Sequence, residues 1–349
     1  MPQQLPLDAL IARAAENPLA LARLAGVLFN IGERARAKEI ARKALLAAPD
    51  DAAVRSLVSG VLSQGVPPWH FSLVRDAARN AAYAAAIGRA VSAQTSVLEI
   101  GTGSGILAMM AARAGAKHVV TCETVPAIAE AAREIVALNG FADRVRVVAK
   151  KSHDLDPGAD LGGLADVLIS EIIGNNLVGE DALSATEHAV RVLLKPGAKV
   201  IPARGIIRVA LAYDAKLHLA RMDTIDGFDL SPFNRLATNR YGLQRGDARL
   251  TLMSTPVDLF DFDFQSGGPF PAATAAKTLT SGGGRANGIA QWIALRMDES
   301  GWYENDPAPG TSSAWAVIFW PFPAPRDCPR GTTIEVWGSH DRHHLQIWA

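Results

Sequence analysis

Residues 96–107, Ser-Val-Leu-Glu-Ile-Gly-Thr-Gly-Ser-Gly-Ile-Leu, constrain the fold of this chain more than any other stretch. An apolar strand ending at Ile100 runs into a turn carrying Gly101, Gly103 and Gly105, and a helix of small residues (106–114) leaves it. Glycine suits such a turn because the backbone must bend sharply and a ligand must approach it closely. The spacing is G-x-G-x-G, not the dinucleotide fingerprint G-x-G-x-x-G. A bound phosphate would want a free helix N-terminus and no acid nearby, yet Glu99 sits at the strand end. A cationic or zwitterionic ligand fits better. A second acid, Glu123, ends the next strand (118–123) roughly 20 residues past the loop, where an acidic residue can accept ribose hydroxyls.

The 349 residues leave room for two or three domains, and 49% hydrophobic against 20% charged residues describes a globular chain with a sizeable core. Lys plus Arg and Asp plus Glu both number 35. The formal net charge is therefore zero, with no global basic field, and direct nucleic-acid binding is not expected. The two cysteines, Cys122 and Cys328, form no disulfide framework, which points to a reducing compartment. The first residues lack the pattern of a secretory leader, and no apolar run approaches the ~20 residues that span a bilayer. The expectation is a cytoplasmic protein with no membrane partner.

Residues 7–63 are rich in alanine and leucine at helical spacing. Leu21, Leu24, Ala25, Leu28, Gly32, Ala37, Ala44 and Pro49 fall close to a tetratricopeptide unit of about 34 residues. Asp50 and Asp51 offer an N-cap for a further helix through Leu62. One and a half repeats cannot build a solenoid, so the region reads either as a docking groove or as a helical cap on the catalytic domain. The Gly65–His70 stretch breaks the helix and marks a boundary. A helix over 71–91 then carries Asp76 and Arg79 one turn apart, able to pair.

From 95 to 205 strands at 96–100, 118–123, 145–149, 167–171 and 198–202 alternate with helical runs such as 106–114, 127–139 and 185–194. This predicts a parallel sheet covered on both faces. Ligands bind outside the carboxyl ends of such strands, so Glu99, Glu123, Ser152, His153 and Glu171 would share one rim. After 205 the periodicity changes. Strands at 205–213, 248–264, 288–296, 314–320, 332–337 and 345–348 predict an antiparallel barrel or sandwich holding six of the seven tryptophans. An insertion at 216–246 interrupts it, a candidate surface for a second subunit despite the polar stretch 223–229. The expected division is 1–64, 65–205 and 206–349.

The segment 170–180, Ser-Glu-Ile-Ile-Gly-Asn-Asn-Leu-Val-Gly-Glu, brackets a strand-end loop with Glu171 and Glu180. Two facing carboxylates can hold a planar guanidinium through charge-assisted hydrogen bonds and aim one nitrogen at a methyl donor. The plainer alternative makes Glu171 a generic strand-end acid and Glu180 a helix-start acid favoured by the dipole. His340, His343 and His344 form no metal site on this reading, since one strand would put 340 and 344 on one face and 343 on the other. Cys122 reads as core.

The glycine loop, Glu99 and Glu123 together resemble a class I S-adenosylmethionine methyltransferase. The chain from 66 to 349 resembles the protein arginine methyltransferase family, closest to its monomethylating two-module branch. That branch shares Trp69-His-Phe71, Arg79-Asn80, His340-Asp341 and Ile347-Trp348. The resemblance implies a Rossmann-like sheet followed by a β-barrel, S-adenosylmethionine as cofactor, arginine in a protein as substrate, and a homodimer formed through the arm. It also implies that His70 closes over the cofactor, that Arg79 binds its methionine carboxylate, and that Glu171 and Glu180 are the double-glutamate pair. Another branch carries an N-terminal tetratricopeptide-like region. Three features depart from the family. Its Thr-His-Trp loop, which shapes the arginine pocket, is Ser313-Ala-Trp315, so Trp315 is kept while the histidine that would meet Asp76 is Ala314. The segment 62–68 has no tyrosine, and Ser152-His153 stands where the adenine-contact acid belongs. Two alternatives follow from these departures: a small amine, hydroxyl or other side chain as acceptor, or a non-catalytic scaffold that binds the cofactor.

Overall fold

The structure is a computed structural model that describes residues 7–217, 221–244, 246–308 and 313–349. It divides into two compact units, Met1–His70 and Phe71–Ala349. In the first, helices Leu7–Ala14, Pro18–Asn30, Arg34–Ala47 and Ala52–Leu62 pack around Leu21, Ala25, Leu28, Ala37, Ile40, Ala44 and Val58. The small residues at these positions let the helices approach closely. Side-chain caps set two of the starts: Asn17 Oδ1 accepts from the Ala20 amide at 3.0 Å, and Asp51 Oδ1 accepts from Ala53 and Val54 at 2.8 and 3.0 Å.

The second unit opens with helix Ala77–Ala90 and a five-stranded parallel sheet: β1 (Ser96–Ile100), β2 (His118–Cys122), β3 (Val145–Val148), β4 (Ala165–Ser170) and β5 (Leu194–Ile201). The order is β3-β2-β1-β4-β5. Helices Ile106–Arg113 and Pro126–Leu138 carry the chain outward from β1 to β3. The next strand then returns to the other side of β1. That reversal leaves a crevice beyond the carboxyl ends of β1 and β4, the place where open α/β sheets bind ligands. All five residues of β1 are buried, as a central parallel strand requires.

The helix expected over 71–91 is interrupted. A short turn, Trp69–Leu73, ends before Asp76, which caps the next helix by accepting from the Arg79 amide at 2.9 Å. A cap residue lies outside the helical face. The expected Asp76–Arg79 side-chain pair therefore does not form, and the Arg79 guanidinium turns instead to Glu171.

The remaining strands are antiparallel and, among the described residues, make two larger sheets and one two-stranded hairpin. In the larger, Arg204–Asp214, Arg285–Arg296 and Val317–Asp327 run side by side, edged by Leu250–Leu252, Val257–Phe262, Trp302–Glu304 and Tyr241–Leu243. The smaller joins Ala273–Thr280, Thr333–His340 and Leu345–Trp348. Ser254 and Ser281 form an isolated antiparallel bridge outside the named strands. The insertion forms a small hairpin (Thr224–Ile225 with Phe228–Asp229) and a helical turn, Ser231–Leu236. His340 closes its strand, and residues 341–344 turn into the next one. The three histidines therefore do not lie on one strand, contrary to the sequence expectation. His340 is buried edge-on against Phe260 and Phe262. No described helix is long and apolar enough to cross a membrane.

Candidate active site

Backbone geometry explains the glycine loop. Gly101 has φ +90°, and a Cβ there would lie 2.7 Å from the Glu171 carbonyl oxygen. Gly105 caps helix Ile106–Arg113 at φ +79°. Gly103 differs: a Cβ at that residue would meet nothing within 4 Å, so the loop opens onto free space there. The Gly103 amide donates to Glu123 Oε2 at 3.2 Å and the Val125 amide to Oε1 at 2.9 Å. Glu123 is thereby fixed one residue past β2, beside the open loop.

Beneath the loop lie two buried charges whose hydrogen bonding is incomplete. Glu99 is 1% exposed, and neither carboxylate oxygen has a hydrogen-bond partner. Burial pushes its carboxyl up to about 8, against opposing pulls from Thr121, which lies near without making a full hydrogen bond, and from Arg79. Arg79 is also buried. Its Nη2 meets Glu171 Oε2 at 2.9 Å, its Nη1 donates to Asn80 Oδ1 at 2.7 Å, and its guanidinium carbon lies 5.0 Å from the centre of the Tyr83 ring. Its Nε has no partner. A buried carboxyl without a full hydrogen bond and a buried guanidinium with one N–H unpaired are complementary to one chemical group. The ammonium and carboxylate of an α-amino acid would satisfy both. The methionine end of S-adenosylmethionine is such a group, and these residues fit it.

Glu171 follows β4, its amide donating to the Ile100 carbonyl at 3.1 Å. Burial lifts its carboxyl to about 7; Arg79 pulls the value down and Glu180 pushes it up. Leu177, Glu180 and Asp181 all have left-handed backbones, with φ of 63°, 58° and 64°. Such strain in residues other than glycine persists only where surrounding contacts enforce it, and it concentrates at working sites. Trp315 Nε1 donates to the Ile173 carbonyl at 2.8 Å, and the Ala316 amide donates to Asn175 Oδ1 at 2.8 Å. Gln291 Nε2 donates to the Asn175 carbonyl at 2.9 Å, and the Gly179 amide to Asn176 Oδ1 at 3.0 Å. Leu177 and Val178 are fully buried under the loop.

Asp76 faces the same loop region. Besides capping Arg79, it accepts from Tyr303 Oη at 2.7 Å and from the Ala314 amide at 3.1 Å, both at Oδ2. Burial works to raise its carboxyl, but the hydrogen bonds from Arg79, Tyr303 and Ala314 outweigh it and hold the group below the usual range. Ser152 is buried at the start of a helical turn after β3, and the next residue, His153, places Nε2 2.9 Å from Ser184 Oγ. The His153 ring stacks on His188 at 4.8 Å, and its Nδ1 is 4.0 Å from Asp181, the neighbour of Glu180. His70 belongs to the other unit. There its Nδ1 lies 3.0 Å from the Pro67 carbonyl and its ring stacks on Trp69 at 3.9 Å.

Residues 84–211 match the family model described as ribosomal protein L11 methyltransferase (PrmA). An arginine N(omega)-methyltransferase from Streptomyces achromogenes subsp. streptozoticus is 34% identical over 318 residues, covering 89% of this chain and 87% of that protein. The chain belongs to the arginine N-methyltransferase family. Protein arginine N-methyltransferase 7 of Drosophila grimshawi is 34% identical over 212 residues, 55% of this chain and 30% of that protein. Its counterpart in Oryza sativa subsp. indica is 31% identical over 254 residues, 66% of this chain and 35% of that one. The chain thus spans about a third of the length of these two relatives. Among solved structures, the Trypanosoma brucei PRMT1 enzyme–prozyme heterotetrameric complex with AdoHcy superposes with a TM-score of 0.70 at 21% identity, covering 82% of this chain and 99% of that one. Arabidopsis thaliana protein arginine methyltransferase 10 gives 0.65 at 18% identity, covering 79% and 90%. At these identities the likeness is one of fold.

In this arginine methyltransferase fold the structure brings Arg79, Glu99 and Glu171 into one buried cluster under the influence of Glu180, sets Glu123 against Gly103, and joins Asp76 to the Trp315 loop. Sequence reasoning missed Tyr303, Gln291 and Asn175, which hold the two loops, because their partners lie far away in the chain. Tyr83 was within reach. It stands four residues after Arg79, on the same helical face, and its hydroxyl donates to the Ser170 carbonyl at 3.1 Å.

Proposed function

We propose that this chain transfers a methyl group from S-adenosylmethionine to a guanidinium nitrogen of arginine, the arginine being held in a protein substrate. The observation that carries the reading is the strained 172–181 loop, which holds Glu180 near a buried Glu171 whose partner is Arg79. Arg79 Nε and Glu99 take the carboxylate and ammonium of the cofactor, Glu123 its ribose hydroxyls, and the space above Gly103 the adjoining atoms. Ser152 and His153 lie on the adenine side. When bound, the cofactor supplies an already activated sulfonium methyl. The protein therefore contributes position and charge. Glu171 and Glu180 grip the guanidinium, turn one nitrogen toward the methyl group, and offer carboxylates to receive the proton that this nitrogen sheds. Trp315 and Asp76 shape the acceptor side.

A second reading makes free arginine the acceptor. It is favoured by the Streptomyces relative, which matches nearly the whole chain and is named for arginine, whereas the relatives named for protein arginine match over a third of their length. Both readings predict methylarginine from labelled cofactor, in arginine-rich protein or in free L-arginine respectively. Glu171→Gln should reduce the rate at least about 100-fold while cofactor still binds. Cofactor binding by the wild type without methylarginine from either acceptor would sink both and leave another small amine or a scaffolding role.

The insertion serves as a homodimer arm, since it exposes Phe228, Phe233 and Leu236. The N-terminal helices form a tetratricopeptide-like region. Two unpaired cysteines, Cys122 and Cys328, suit the cytoplasm.

A further inference from the structure

Ala314 offers Asp76 only its backbone amide, 3.1 Å from Oδ2, because its side chain is a methyl group. A residue from another strand fills the gap. Tyr303, in the short strand Trp302–Glu304, is 4% exposed and places its hydroxyl 2.7 Å from Asp76 Oδ2 and 2.6 Å from Ser313 Oγ. Ser313 Oγ in turn accepts from the Trp315 amide at 3.1 Å. Only one direction satisfies this chain. A carboxylate can only accept, so the phenol donates to Asp76, the Ser313 hydroxyl donates to the phenol, and the Trp315 amide donates to the serine.

We propose that Tyr303 is a positioning residue for the acceptor, its phenol tying the two halves of the site together. From the hydroxyl one route runs through Asp76 to the capped Arg79 and so to Glu171. The other runs through Ser313 to Trp315, whose indole holds the Ile173 carbonyl at the root of the double-glutamate loop. The Tyr303 ring adds an edge-on contact with Trp315, centroids 5.4 Å apart at 65°. Removing the hydroxyl takes one donor from a buried carboxylate and one acceptor from the serine proton. A buried polar chain of this kind responds as a unit, not link by link.

The proposal rests on the methyl-transfer reading for its kinetic consequence but not for its structural one, and the test separates the two. In the full chain, Tyr303→Phe should lower kcat/KM for the arginine acceptor by about tenfold or more while the cofactor Kd stays within about threefold of wild type. Amide hydrogen exchange should quicken across 172–180 and 313–316 and remain unchanged in β1 and β2. Adding Asp76→Asn to Tyr303→Phe should cost little beyond the worse single variant, as expected for two ends of one link. Adding Ala314→His to Tyr303→Phe should restore a large part of the lost rate. Unchanged exchange in both loops, or cofactor affinity lost in step with turnover, overturns the proposal. If the wild type methylates no arginine, the functional reading falls, and the exchange pattern still decides the role of Tyr303.

Discussion

Glu99 is a carboxyl placed where water cannot reach it, and the pulls of Thr121 and Arg79 do not offset its burial, so a cation arriving beside it favours the charged form. Its folded-state value near 8 lies above the ordinary 4.5, and that of Glu171 near 7 does as well. Between about 4.5 and 8 the folded, ligand-free protein therefore binds more protons than the unfolded chain, and its stability falls as pH rises through that window. A melting-temperature series from pH 5.5 to 8.5 without cofactor should slope downward, and Glu99→Gln should flatten it. Binding an ammonium group restores the charged carboxylate. Calorimetry at pH 6.5, in buffers of different ionisation enthalpy, should accordingly show release of up to about one proton per cofactor in the wild type and less in Glu99→Gln. A wild type that releases none would place the cofactor's ammonium elsewhere. That Glu99, Glu123 and Glu171 stand at or just past strand ends was legible in the sequence, because each closes an apolar run. Asp76 was misread as a helical neighbour of Arg79, since spacing alone does not say where a helix begins. Tyr303 could not be read at all: its partner is 227 residues away in the chain.

At the level of elements, the glycine loop separates two demands that the sequence shows as one motif. Gly101 and Gly103 both have positive φ, and a side chain in that backbone costs about 1–2 kcal/mol. At Gly101 the added carbon also collides with the Glu171 carbonyl and Ile172, whereas at Gly103 it projects into open space. Gly101→Ala should therefore lower the melting temperature markedly and disturb the Glu171 loop. Gly103→Ala should melt closer to wild type yet lose cofactor affinity by isothermal titration. Equal melting with equal affinity for the two variants would show that the space over Gly103 is not where the ligand sits. The central parallel strands β1, β2 and β4 were legible because they are near-continuous apolar runs buried on both faces. Ala273–Thr280 was not, for its alternation is of alanine, threonine and lysine, with only Leu279 fully buried. Which of the later strands pair was not legible either, because strand pairing between distant segments leaves no local signal.

For the molecule as a whole, the insertion between strands Arg204–Asp214 and Leu250–Leu252 poses a problem of exposure. Its root is firmly held: buried Asp214 accepts from Tyr241 Oη at 2.5 Å and from Arg249 Nη2 at 2.8 Å, gathering residues from both sides of the insertion. Beyond that root Phe228, Phe233 and Leu236 are 71%, 61% and 76% exposed. Large apolar side chains grouped on one anchored projection are a feature that monomers rarely leave to water. A second copy is the partner proposed, and symmetric dimers are the commonest way chains cover such a surface. Sedimentation of the wild type at micromolar concentration should give a dimer. Replacing Phe228, Phe233 and Leu236 with serine should give a monomer whose melting temperature changes little, since the three side chains contribute little to the fold they project from. A wild type that sediments as a monomer, or a dimer that survives the triple replacement, would remove the arm from the interface and leave its apolar surface to another partner.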